Sequence, residues 1–195
     1  MSLLAQQLQA LIRPGDTLWW GQATAEPLTL TRALVEHRHA LAQGGRLRVF
    51  VGIGASDTLQ PEQADVIDFF GYAAGGPHRR LAEAGVLDIL PSHYSHLPGL
   101  IRTGVLPADV VLLQVSPPDD QGRYSLGLAQ EYLPAALEQA RVVIGEVNPA
   151  IPWTHGGVHL QARDFALLID AEHPPLEQGR AAPGPVEQAI ARHVA

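Results

Sequence analysis

The stretch "DVVLLQVSPPDDQGRYSLG", residues 109–127, runs almost wholly apolar from Val110 to Val115 and then breaks into two prolines, two aspartates and a glycine. An apolar run of this length without alternation reads as a strand covered on both faces, the habit of parallel sheets. Six further segments share that character: "TLWWG" (17–21), "RLRVFVGI" (46–53), "VIDFFGYA" (66–73), "LDILP" (87–91), "RVVIGEVN" (141–148) and "DFALLID" (164–170). Helical patterns lie between them. In "EPLTLTRALVEHRHALAQGG" (26–45), Leu28, Leu30, Leu34, Val35 and Leu41 form an approximate apolar stripe, Pro27 suits the first turn, and Gly44 with Gly45 ends it. "QEYLPAALEQA" (130–140) bridges two apolar runs, and "PVEQAIARHVA" (185–195) keeps a helical pattern to its last residue. Strand, helix, strand at this spacing predicts an α/β fold, an open and mostly parallel sheet flanked by helices. Trp19 and Trp20, adjacent on one strand, should face opposite sides of that sheet.

The chain of 195 residues, 46% hydrophobic, is the size of one domain, expected to span 1–195. "EHPPLEQGRAAPGP" (172–185) is the one linker-like stretch. A helix that follows it and carries no C-terminal stop signal predicts that a second unit once followed.

Composition excludes several chemistries. With no Cys there is no disulfide framework or thiol nucleophile, and with no Lys there is no Schiff base or P-loop lysine, all 13 basic residues being Arg. A net charge of −7 without a basic tract argues against nucleic acid as a partner. No apolar stretch reaches the roughly 18 residues of a membrane helix, and the N-terminus lacks a basic flank, so the expected setting is cytoplasmic, with no membrane partner.

The opening stretch then acquires a position. In open α/β sheets ligands bind outside the carboxyl ends of the strands, where Ser116, Pro117, Pro118, Asp119 and Gly122 stand. The prolines pre-set the backbone and Gly122 supplies a positive φ, so Asp119 is held either as part of a pocket wall or as the cap of a plain Asx-type turn. "VVIGEVNPAIPWTHG" (142–156) repeats the arrangement with Glu146 and Asn148. A carboxylate there can act as nucleophile or base when desolvated, or can bond backbone amides, and an Asn before Pro is also an ordinary turn former.

Weaker signals resolve toward structure. Gly52 and Gly54 lack the third glycine of a dinucleotide fingerprint. Gly75-Gly76-Pro77 opens a helix whose Arg79 and Arg80 suit an anion such as a phosphate or, more commonly, a solvated face. His93 with His96, and His155 with His159, lack a carboxylate at metal-site spacing, so hydrogen-bonded histidine rather than a metal site is expected.

Five segments in order along the chain resemble the acetyl-CoA hydrolase/transferase family, which includes 4-hydroxybutyrate and acetate CoA-transferases. They are "IRPGDTLWWGQATAEPLTLTRAL", "LPSHYSHLPGLIRTG", "ADVVLLQVSPPDDQGRYSLG", "ARVVIGEVNPAIPWTHGG" and "HPPLEQ". The S-P-P-D-x-x-G element followed by S-x-G, and then E-V-N-x-x-x-P, carry most of the specificity. The resemblance implies a CoA-transferase-like domain of the NagB/RpiA type and covers the family's N-terminal half only. It further implies coenzyme A as substrate, no tightly bound cofactor, and acyl-CoA with a small carboxylate as partners. The reaction would run through a glutamyl-CoA intermediate on a glutamate of a complementary C-terminal domain, in a likeness that also implies a homo-oligomer. No catalytic residue is then expected in this chain, Glu146 being the one internal candidate. By the same resemblance Gln22, Glu26, Pro27, Ser116, Pro117, Asp119, Gly122 and Asn148 are substrate-binding candidates. Gln22 occupies the position of a histidine that approaches substrate in the 4-hydroxybutyrate enzymes; it can donate a hydrogen bond but cannot act as acid or base. The alternative is a non-catalytic module that uses the same fold to bind an acyl-CoA or another protein.

Overall fold

A computed structural model describes residues 2–179 and 182–194. The elements run α1 (Leu3–Leu11), β1 (Thr17–Trp20), α2 (Leu28–Glu36), α3 (Arg38–Ala42), β2 (Leu47–Val51), β3 (Ile67–Gly71), α4 (Arg79–Glu83), β4 (Leu87–Ile89), α5 (Leu97–Arg102), β5 (Val110–Val115), β6 (Arg123–Ser125), α6 (Leu133–Gln139), β7 (Val142–Val147), β8 (His159–Gln161), β9 (Leu167–Asp170) and α7 (Pro185–Val194).

Seven strands form one parallel sheet in the order β4-β3-β2-β1-β5-β7-β9, and β6 pairs antiparallel with β8 outside it. The chain builds outward from β1 to β4, then returns to the other side of β1 with β5. That reversal opens a crevice at the carboxyl ends of β1 and β5, where the connections leave in opposite directions.

Both faces of the sheet are covered, which explains the near-continuous apolar strands. Leu18, Trp20, Val49 and Leu112 pack with Leu8 of α1, Leu30 and Leu34 of α2 and Leu81 of α4. Trp19, Phe50, Phe70, Val111 and Leu113 pack with Leu97 and Ile101 of α5 and Leu133 and Ala136 of α6. The two tryptophans thus divide between the faces, as their adjacency requires. Trp19 stacks on Phe50 at 3.9 Å between centroids and meets Tyr132 edge-on at 5.4 Å. Its indole N–H donates to the Pro107 carbonyl at 2.9 Å, so the ring is buried without a stranded polar group. Gly71 lies opposite Val51 in the β2–β3 ladder, where a Cβ would stand 2.2 Å from the Val51 carbonyl oxygen.

The structure departs from the sequence expectations in a few places. The single helix expected over 26–45 is two, divided at His37, whose backbone leaves the helical region (φ −105°, ψ 16°); beside the break Arg38 donates to the Val35 carbonyl at 3.1 Å and pairs with Asp65 at 2.8 Å. The last strand begins at Leu167, since residues 162–164 form a 3₁₀ turn whose entry is held by Asp164 accepting from the Gln161 N–H. Helix α1, capped by the Ser2 hydroxyl accepting from the Ala5 N–H at 3.2 Å, was not expected, nor were α5 and the β6–β8 pair. Of the expected linker 172–185, residues 180 and 181 lie outside the described residues, as does Ala195 of the last helix.

Candidate functional site

Strands β1 to β4 all point their carboxyl ends at one region. The residues that follow them, Gln22, Ile53, Tyr72 and Tyr94, line a cavity of about 460 Å³ together with Glu131 from the approach to α6. Another cavity, of about 350 Å³, lies against α2 and Glu172–His173. Convergence of four strand ends at the sheet's point of reversal makes the first the better candidate.

Gln22 is the hub of this cavity. Its side-chain N–H groups donate to a Glu131 carboxylate oxygen at 2.8 Å and to the Tyr94 hydroxyl oxygen at 3.3 Å. Its carbonyl oxygen accepts from the Ile53 backbone N–H at 2.9 Å and from the Tyr72 hydroxyl at 2.8 Å. An amide side chain offers two donors and one carbonyl with two lone pairs, and all four are taken. In this structure both Gln22 donors are engaged, by Glu131 and Tyr94.

A second layer fixes the hub. The Gly52 carbonyl lies 3.0 Å from His78 Nδ1, which must carry the proton and donate, because the carbonyl can only accept. That same peptide unit sends its Ile53 N–H to Gln22. Burial holds the His78 imidazole below its ordinary pKa, which favours the neutral ring. Gly52 is required there, since a Cβ would come within 2.7 Å of the Gln22 carbonyl oxygen.

Two non-glycine residues beside the cavity have positive φ, Ala23 at 52° and Glu131 at 45°. Each costs about 1 to 2 kcal/mol of local strain, the kind of outlier that collects at functional sites. Burial pushes the Glu131 carboxyl up, with hydrogen bonds from Gln22 opposing it, and burial likewise pushes the phenols of Tyr72 and Tyr94 up. The hydroxyls are thus held in the protonated, donating form.

The residues singled out in the sequence fall into three groups. Gln22 lines the cavity. Glu26, Pro27, Glu146 and Asn148 lie behind the loop that carries it. Glu26 accepts from the Thr31 hydroxyl at 2.8 Å and the Ser56 hydroxyl at 2.6 Å, and Pro27 occupies the N-cap of α2. Glu146, 1% exposed, accepts the Thr29 and Leu30 N–H groups at 2.9 and 3.2 Å and so caps α2 from a neighbouring strand. Asn148 donates to Gln114 at 3.0 Å and to the His173 carbonyl at 3.1 Å, while Gln114 donates to the Thr24 carbonyl at 3.2 Å. These contacts hold the middle of residues 21–27 at Thr24 and their far end at Glu26 and the start of α2.

Ser116, Pro117, Asp119 and Gly122 form the third group, and none of them lines the cavity. Ser116 accepts from the Ser125 N–H at 3.1 Å. Asp119 accepts from the Gln121 and Arg123 N–H groups at 3.0 and 2.8 Å and from the Arg123 guanidinium at 2.6 Å, which holds its carboxyl below the usual range. Pro117 is exposed, and Gly122 has φ 72°. This is the geometry of a closed Asx-type turn. Among the other residues weighed, Arg79 pairs with Glu83 at 2.8 Å, the rings of His93 and His96 meet edge-on, and His159 stacks on Trp153 at 4.8 Å. Among the described residues no group of three or more His, Asp or Glu is placed to hold a metal, and no helix is long and apolar enough to cross a membrane.

Four of the five cavity residues, Ile53, Tyr72, Tyr94 and Glu131, escaped the sequence reading. For Ile53, Tyr72 and Tyr94 the usable signal is positional, since each stands at or beyond the carboxyl end of an apolar run, whereas Glu131 follows no strand directly.

Fold and cavity together define a doubly wound parallel α/β domain with a tyrosine-lined crevice at the switch point of its sheet. The chain belongs to the acetyl-CoA hydrolase/transferase family: the model described as "Acetyl-CoA hydrolase/transferase N-terminal domain" matches residues 3–169. It is 31% identical over 98% of its length to the 4-hydroxybutyrate coenzyme A transferase of Clostridium kluyveri, covering 44% of that protein. It is 29% identical over 96% of its length to the butyryl-CoA:acetate CoA-transferase of Anaerostipes caccae, covering 43% of it. The chain thus spans less than half the length of these relatives. Among solved structures, RipA from Yersinia pestis superposes with a TM-score of 0.84 at 22% identity over 99% of this chain and 47% of its own. A chain of the decarboxylase AibA/AibB shares the fold at a TM-score of 0.52 and 16% identity, and there the overlap takes in 98% of this chain and 90% of the other.

Proposed function

We propose that these residues form the acyl-binding half of a CoA-transferase active site, with the Gln22 cavity facing the acyl group of a CoA thioester. The observation that carries this reading is a cavity braced by hydrogen bonds at the strand ends of a domain whose family is acetyl-CoA hydrolase/transferase. In the chemistry proposed, a glutamate carboxylate of a complementary C-terminal domain attacks the thioester carbonyl, giving a mixed anhydride and the CoA thiolate. The thiolate returns to the glutamyl carbonyl, releasing the first acid and leaving a glutamyl-CoA thioester, from which a second carboxylate takes the CoA by the reverse steps. A carboxylate is a weak nucleophile in water, so a second domain closing over the cavity serves to exclude solvent and to bring oriented donors to the developing oxyanion.

Glu146 suits this division of labour as a cap, since its carboxylate is buried and engaged by two backbone N–H groups. In the same reading Glu26, Pro27 and Asn148 act by shaping the loop, and Ser116, Pro117, Asp119 and Gly122 by shaping an outer turn that a substrate or second domain can meet. The setting is cytoplasmic, the assembly homo-oligomeric and CoA a substrate rather than a resident cofactor.

The test is an exchange assay between acetyl-CoA and butyrate. The purified chain alone is expected to give no exchange, and addition of a family C-terminal half to give turnover. Exchange by the chain alone, or none after complementation although acyl-CoA binds, would replace this reading with a self-sufficient enzyme or with a binding module, respectively.

A further inference from the structure

Helix α7 (Pro185–Val194) has an apolar face that this domain leaves uncovered. Val186, Ala189, Ile190 and Val194 recur at i, i+3, i+4 and i+8 and so share one side of the helix, with Glu187, Gln188 and Arg192 on the other. None of its described residues is buried, and Val186, Ile190 and Val194 stand 67, 58 and 83% exposed. Helix α1 shows what this spacing does when it has a seat. Leu4, Leu8 and Ile12 recur in the same way, and there Leu8 and Ile12 are wholly buried in the core on one face of the sheet. The chain is held to the domain at His173, whose carbonyl accepts from Asn148 and whose ring meets Arg32, and α7 lies beyond Pro174, Pro175 and Pro183.

A helix of 10 residues with no buried side chain is marginal in water, because isolated helices need about 12 to 15 residues to hold. Its helical form therefore calls for a surface to fold against. A second copy of this chain is a poor one. Three side chains of this size present on the order of 200 Å² of apolar area, against about 800 Å² per partner in a specific association. A domain that also closes over the cavity supplies the remaining area, and where it is continuous with the chain its effective concentration reaches about the millimolar range. The family model that matches residues 3–169 describes an N-terminal domain, and the chain covers 44 and 43% of two relatives, so most of each relative lies beyond this domain.

We propose that the face formed by Val186, Ile190 and Val194 is a docking seam for the complementary C-terminal domain, and that α7 folds as it docks, the helix described here being the docked form. The proposal deepens the transferase reading above and rests on it.

Hydrogen–deuterium exchange tests it on the 195-residue chain, alone and with the C-terminal half of the Clostridium kluyveri relative. In the chain alone, at low and at high concentration, the amides of 186–194 should exchange within about tenfold of an unstructured peptide. With the C-terminal half they should slow at least about tenfold further. Ile190→Asp should raise the concentration of C-terminal half that gives half-protection by at least about tenfold, the effect of one buried isoleucine, and should leave the Tm of the chain alone unchanged. Ala191→Asp puts the same charge on the opposite face and should shift that concentration less than about threefold. Protection in the chain alone overturns the proposal in favour of packing on its own domain, and protection that grows with its concentration does so in favour of a second copy. An equal loss in both variants also overturns it. Exchange between acetyl-CoA and butyrate is read in the same mixtures. Turnover without protection of α7 overturns the docking seam and spares the transferase reading; protection without turnover does the reverse, and absence of both overturns both.

Discussion

Replacing Glu146 with Gln should make the chain more stable at pH 8 and no more stable at pH 5. The carboxylate sits on β7 with 1% exposure and receives the Thr29 and Leu30 N–H groups on one oxygen, so an amide oxygen can take over both bonds. Burial raises its pKa from 4.5 to about 7, against the pull of those N–H groups and with a small push from Glu172. Because the folded value lies above the unfolded one, the contribution to stability is fully present below 4.5 and is lost as pH rises through about 7. Moving from 4.5 to about 7, at about 1.36 kcal/mol per pH unit, gives a full difference of about 3 kcal/mol. For a chain of this size that is roughly 6 to 12 °C in Tm. Urea denaturation of wild type and Glu146→Gln at pH 5, 6, 7 and 8 reads it directly: the difference between the two proteins should move by about 2 to 3 kcal/mol in favour of Gln across the series. A difference that stays flat with pH would show that the helix N-terminus compensates the charge in full, and would refute the argument that desolvation dominates here.

Two further outcomes follow from packing. Gly71→Ala should cost about 3 kcal/mol or abolish soluble folding, because the new Cβ meets the Val51 backbone carbonyl, which cannot turn aside; chemical denaturation or expression yield checks it. Tyr132→Phe removes the 2.8 Å bond to the Trp20 carbonyl from a fully buried ring and should cost about 1 kcal/mol by the same measurement, with near-ultraviolet dichroism of the Trp19 cluster largely retained.

The parallel sheet was legible because its strands are buried on both faces and so carry uninterrupted apolar runs, with ends displaced by a residue or two in most cases. Elements that lean on tertiary contacts were not. Helix α5 contains Pro98 and Gly99 within six residues, a composition that argues against a helix until Leu97 and Ile101 are seen packed under the sheet. β6 and β8 have three residues each and no apolar alternation to betray them. Helix α1 does carry a signal, a Ser N-cap before Leu3, Leu4, Leu8 and Leu11, but its position at the N-terminus gives that apolar segment the look of a targeting signal instead. The cavity was half legible for a different reason. Gln22 stands at a strand end within a specific motif, whereas its partner Glu131 is 109 residues away and enters through a left-handed backbone that no local pattern announces.

The grip on Gln22 bears on how such a pocket can be re-engineered. An exchange at position 22 for a side chain without a matching acceptor releases a backbone amide and a phenol proton together, and one without a matching donor releases a phenol oxygen and a carboxylate together, so few replacements serve all four partners. Laboratory evolution of the cavity should therefore leave Gln22 untouched and explore Ile53, Tyr72, Tyr94 and Glu131, each of which gives Gln22 only one of its four bonds or borders the cavity beside it.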